Sequence, residues 1–97
     1  MKYIRLYSGD DGQSHFEELS MDLIDAPIGK ISPSFNVSDA IFGYVEDASE
    51  ISWHNPPQKQ YIILLKGAME IEVGSGATQL FNEGDILLAE DTEGQGH

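Results

Sequence analysis

Three histidines, at positions 15, 54 and 97, are the side chains here that can take up and release a proton near neutral pH. His54 has the most suggestive setting. It follows Trp53 and precedes Asn55-Pro56-Pro57, a bend that proline stiffens by fixing φ and removing backbone donors. Gln60 follows six residues later and Gly67 seven after that. A histidine at a rigid bend can cap a turn, or it can be aimed into a cavity as a base or a ligand. Asp85 and Glu90 are the carboxylates read as acid–base partners for His54 if the fold brings them within reach. His15 reads as a surface histidine beside a turn. The acidic pairs Asp10-Asp11, Glu17-Glu18 and Glu90-Asp91 read as solvated turns. The chain has no cysteine, which excludes thiolate nucleophiles, thiolate metal sites and disulfides. No glycine-rich phosphate loop is present.

The segments that would position these residues read as strands. In Met1–Tyr7, Ile4 and Leu6 alternate with Tyr3, Arg5 and Tyr7, the period of two that marks a half-buried strand. The turn residues Ser8-Gly9-Asp10-Asp11-Gly12 follow. The next stretch, from Ser14, alternates from Leu19 through Met21 to Leu23, so its second half is expected as a strand, with a short helix as the alternative. Ile28–Ser32 and Ala40–Val45 are two further candidates, and Asp47–Glu50 reads as a turn into Ile51-Ser52. Gln60–Lys66 is apolar on both faces and is expected to be buried on both. Met69, Ile71 and Val73 alternate with Glu70 and Glu72, giving one dry and one wet face. Gly74-Ser75-Gly76 and Asn82-Glu83-Gly84-Asp85 are turns that bracket Ala77–Phe81 and lead into Ile86–Ala89. No segment keeps a period of 3.6. Short strands separated by regular turn clusters predict an all-β sandwich or barrel.

Composition narrows the function classes. The 97 residues suit one domain spanning 1–97, near the lower limit for an unaided core. Five basic residues against 17 acidic ones give a formal charge of −12, which repels phosphate backbones and anionic lipid. Nucleic-acid and membrane-surface partners are therefore not expected. The longest apolar run, Tyr61–Leu65, is far too short to span a bilayer. The basic N-terminal segment has no apolar signal core, and with no cysteine the expected setting is the cytoplasm.

Two stretches resemble the paired sequence motifs of the cupin superfamily. In the first, Ala48 stands at the opening glycine position, His54 at the first histidine, Pro56 at the second, Gln60 at the glutamate and Gly67 at the closing glycine. In the second, Gly84-Asp85 match the start, and Glu90 and Thr92 stand where proline and glycine are usual. His97 falls two residues beyond the usual histidine. The resemblance implies a jelly-roll β-barrel, and on that pattern the chain lacks its last strand. It implies a ligand in the barrel mouth near Trp53, His54, Gln60 and Tyr61. It also implies a metal set reduced to His54, Gln60 and His97. Pro56 offers no donor and Gln60 no charge, so a divalent transition metal is expected to bind weakly or not at all.

The leading expectation is a small-molecule-binding cupin. The alternatives are a metal-assisted isomerase or oxygenase using His54 and His97, and a structural or regulatory oligomer with a filled barrel. A homodimer is expected on two grounds: the chain is short, and an unpaired sheet edge invites pairing. The strand Tyr3–Tyr7 is the segment expected to cross to a partner.

Overall fold

Period-two alternation along the chain produces eight strands, seen in a computed structural model that describes residues 1–45 and 53–97. They are β1 (Lys2–Ser8), β2 (Ser14–Ser20), β3 (Ile24–Ala26), β4 (Gly29–Ile31), β5 (Gln60–Ile63), β6 (Met69–Glu72), β7 (Thr78–Phe81) and β8 (Ile86–Glu90). The fold class is all-β, with no helix among the described residues. None of it is therefore a helix able to cross a membrane. The strands form open sheets, and no closed barrel is seen among the described residues.

The chain divides into two compact units. One joins Met1–Met21 with Trp53–His97. The other begins at Asp22 and is described as far as Val45. This second unit holds the β3–β4 hairpin, with Ile24 opposite Ile31. Ala40–Val45, expected as a strand, has no strand structure and is exposed throughout. Ala48 and the turn expected at Asp47–Glu50, with Ile51-Ser52 after it, lie outside the described residues.

The first unit carries the core. Its four-stranded sheet runs β2-β1-β8-β5. β1 and β2 form a hairpin in which Leu6 faces Phe16 and Ser8 faces Ser14. The turn between them is closed by the Gly9 N–H to the Gln13 carbonyl at 2.8 Å. β1 then pairs in parallel with β8, Leu6 opposite Ala89, and β8 pairs antiparallel with β5, Ile62 opposite Leu87. The β6–β7 hairpin supplies Ile71, Val73 and Phe81 to the same core as Leu6, Leu87 and Ala89. Ile4, Phe16, Ile62, Leu64 and Met69 pack around it.

Three details differ from the sequence reading. β2 runs Ser14–Ser20 rather than through the second half of its segment to Leu23, because pairing with β1 holds it from the turn as far as Lys2 opposite Ser20. β5 is an outer strand, so Ile63 and the following Leu65 are exposed instead of buried. β1, expected as a detachable edge, lies inside the sheet with Leu6 fully buried.

Candidate functional site

Alternation along β8 sets up the site. Leu87 and Ala89 face the core, and the same period carries Asp91 to the core-facing side just past the strand end. Asp91 is 0% exposed. A carboxylate in that position must find donors. Ser14, at the start of β2, donates its hydroxyl to Asp91 Oδ2 at 2.7 Å. His97 Nδ1 lies 2.7 Å from the same oxygen. Asp91 Oδ1 is buried with no hydrogen-bond partner among the described residues.

The segment after Asp91 folds back as a strap fastened at several points. Asn55 donates through Nδ2 to the Asp91 carbonyl at 2.7 Å and to the Glu93 carbonyl at 3.1 Å. Ser8 Oγ donates to the Glu93 carbonyl at 2.9 Å. The Gln95 N–H reaches the Gly12 carbonyl at 3.0 Å. His54 and His97 then exchange two main-chain hydrogen bonds, each 3.0 Å, as a pair of facing strand residues would. Gly96 makes this approach feasible. Its φ is +77°, and a Cβ there would sit inside contact distance of the His54 carbonyl.

The backbone exchange brings the two rings together edge to face, with centroids 4.6 Å apart. His97 is nearly covered, its side chain 13% exposed, whereas His54 is exposed. Trp53 next to it is 47% exposed. Gln60 opens β5 opposite Ala89 and shares the core-facing side with Ile62. Tyr61 lies on the other face of the sheet, against Tyr3 at 6.4 Å between ring centroids. Pro56 is buried. The structure thus joins His54 and His97 and sets Tyr61 apart from them.

The acid–base partners named for His54 have other work. Asp85 Oδ2 accepts the Asn82 N–H at 2.7 Å and closes its own turn. Glu90 binds Arg5 and stands 3.6 Å from Lys59 Nζ. The carboxylate that does join a histidine is Asp91, which together with Glu90 reads in sequence as a solvated turn. The signal that could have found it is the alternation Leu87, Ala89, Asp91, which points all three the same way. Ser14 carries no such signal.

Glu90 lies on the opposite side of β8 from Asp91. Burial pushes its carboxyl up, but the hydrogen bond and charge of Arg5, with the charge of Lys59, outweigh that and hold it below its ordinary value. Arg5 also sits 3.4 Å from Glu17 and 4.2 Å over the Tyr7 ring. A depression of about 450 Å³ lined by Tyr7, Ser8, Gly9, Asp10, Asp11 and His15 opens nearby. His15 sits beside the 9–13 turn, with Nε2 3.0 Å from both Asp11 carboxylate oxygens. That contact, then the Gln13 N–H, holds the Asp11 carboxyl below its ordinary value. This depression does not include His54 or His97. No group of three or more histidine, cysteine, aspartate or glutamate side chains among the described residues is arranged to hold a metal ion.

Comparison with family models, with curated proteins and with solved structures finds no match.

Two expectations test this construction. Gly96→Ala should cost more than the about 1–2 kcal/mol of an L-residue at positive φ, since its Cβ would also run into the His54 carbonyl. That lowers Tm by about 4–8 °C per kcal/mol in a domain of this size. Gly76→Ala is the control, because Gly76 also has positive φ but open space around it. A calorimetric scan showing equal losses for the two would remove the close approach at His54 from the account. The second concerns acid. A carboxyl held low in the folded state stabilises above its unfolded value of 4.5 and loses that contribution as pH falls through its folded value. Glu90→Gln should therefore lower Tm at pH 7 and converge on the parent only as pH falls below 4.5 and through the folded value. Parallel Tm–pH curves for the two proteins would contradict this.

Proposed function

We propose that the chain is a small-molecule-binding protein of the cupin type, with its ligand at the corner where His54 and His97 meet. One observation carries the reading. Two imidazoles from distant positions lie 4.6 Å apart, and a fully buried carboxylate orients one of them. Burying an ion to orient a surface-facing ring costs stability, and such costs cluster where a ligand is handled. The exposed Trp53 beside His54 supplies an apolar face, and Gln60 a neutral polar group on the core-facing side of β5. The jelly-roll architecture is part of the proposal. It is supported by the motif resemblance and by packing of the β6–β7 hairpin against the four-stranded sheet. The lack of cysteine fits a reducing compartment, so the cytoplasm is the proposed setting.

A metal-assisted isomerase or oxygenase is the second reading. Histidine ligands commonly donate their other ring nitrogen to a carboxylate, as His97 does to Asp91. The donor set nevertheless fits a resident divalent cation poorly. It comprises two imidazoles and a neutral amide, and the nearest carboxylate is engaged by His97 and Ser14. No reaction step is assigned to a metal.

Nuclear magnetic resonance screening with neutral small molecules should perturb residues 53–55 and 97, and His54→Ala should weaken binding about tenfold, or about 1.4 kcal/mol. Thermal-shift titration with zinc, nickel, manganese and iron should show little stabilisation. At a hundredfold excess over Kd a true ligand adds about 2.7 kcal/mol. A large shift at micromolar metal that vanishes in His54→Ala would establish the second reading instead.

The proposed assembly is a homodimer through the outer strand β5, where Ile63 and Leu65 are exposed. The outer strand is preferred to β1, whose two edges are already paired within the chain. The charge of −12 opposes association only at short range, since physiological salt screens it beyond about 8 Å. Sedimentation should show a dimer that Ile63→Lys combined with Leu65→Lys converts to monomer. A concentration-independent monomer for the unaltered chain rules the dimer out.

A further inference from the structure

We infer that His97 is a proton acceptor held in one tautomer by Asp91, and that its ligand is a neutral compound presenting a hydroxyl group. The inference rests on the reading of the His54–His97 corner as the ligand site and adds the chemistry of what binds there.

The argument begins with donors and acceptors. An ionised carboxylate only accepts hydrogen bonds. Asp91 Oδ2 receives the Ser14 hydroxyl, so the contact at 2.7 Å from His97 Nδ1 requires the proton to be on Nδ1. A neutral imidazole has one N–H. Nε2 is therefore left as an acceptor, the reverse of the tautomer that histidine prefers in water. The backbones that carry the pair are held in place. The His97 main chain is fixed in both directions to His54, and the Asp91 main chain is fixed by Asn55. Ser14 gives its proton to the carboxylate, which makes it a buttress and not a nucleophile.

The unpartnered Asp91 Oδ1 is the second observation. Most buried polar atoms have a partner, and here both donors fall on one oxygen, Oδ2. Negative charge is left unmatched beside the imidazole. The proton transfer that this arrangement supports is simple. The ligand O–H bond breaks, an Nε2–H bond forms, the electron pair stays on the ligand oxygen, and the Nδ1–H remains toward Asp91. The resulting imidazolium lies against the buried carboxylate. An anionic ligand is disfavoured by the −12 charge of the chain, so a neutral hydroxyl compound is the class that fits.

The experiment uses the intact chain labelled with ¹⁵N and reads ring tautomers from two-bond ¹H–¹⁵N correlations. Neutral His97 should show protonated Nδ1 and unprotonated Nε2. Ser14→Ala should keep that pattern, and Asp91→Asn should lose it with the amide spectrum still folded. If Asp91→Asn unfolds, the parent and Ser14→Ala spectra decide. A neutral His97 carrying its proton on Nε2 overturns the inference. Phenol and anisole are then compared as probes of similar shape, only the first having a donor. Phenol should move the His97 Nε2 resonance upfield and anisole should leave it in place. Equal responses overturn the ligand class. Screening hits at 53–55 and 97 together with the Nε2–H tautomer would defeat this inference and leave the binding site standing. Failure of every neutral compound to perturb that corner would defeat the binding site itself.

Discussion

The position of β8 between β1 and β5 is the constraint on which the rest of the structure depends. The strand is paired on both edges, and Leu87, Leu88 and Ala89 are all buried. Its direction and register are thereby fixed, and so is the residue that leaves it. Asp91 cannot reach solvent without breaking the alternation that seats Leu87 and Ala89. The buried carboxylate is thus a consequence of the sheet, and the strap that follows is organised by what that carboxylate needs.

Much of the architecture is legible in residue order because one-sided strands announce themselves. β1, β6, β7 and β8 alternate or run apolar between clear turns, and their bounds match the reading closely. Three failures have a common cause. The start of β2 has no alternation of its own and is imposed by pairing with β1. The apolar run at β5 suggests two dry faces, but an outer strand leaves Ile63 and Leu65 in solvent. Ala40–Val45 has the composition of a strand but pairs with no sheet among the described residues. In each case a neighbour far along the chain decides, and local pattern carries no record of it.

The site divides along the same line. The meeting of His54 and His97 is anticipated only through the motif resemblance, since nothing local links positions 54 and 97. Gln60 and Tyr61 fall on opposite sides of β5 because adjacent strand residues must diverge. Asp91 was hidden by its neighbour. A pair of acidic residues reads as solvated, yet a strand end separates them: Glu90 turns to Arg5 and Lys59 on one face, Asp91 to Ser14 and His97 on the other.

The parallel pairing of β1 with β8 also sets a timetable. The β1–β2 hairpin is local and closes within microseconds of its appearance. Its second edge must then wait for a partner far along the chain, as the 85-position separation of Arg5 and Glu90 illustrates. Until β8 emerges during synthesis, at about 5–20 residues per second, Leu6 and the free edge of β1 stay uncovered for several seconds. High contact order slows the final closure further. Vulnerability to misassociation is thus concentrated in the nascent chain, and the bonds that fasten the strap can form only after β8 has emerged.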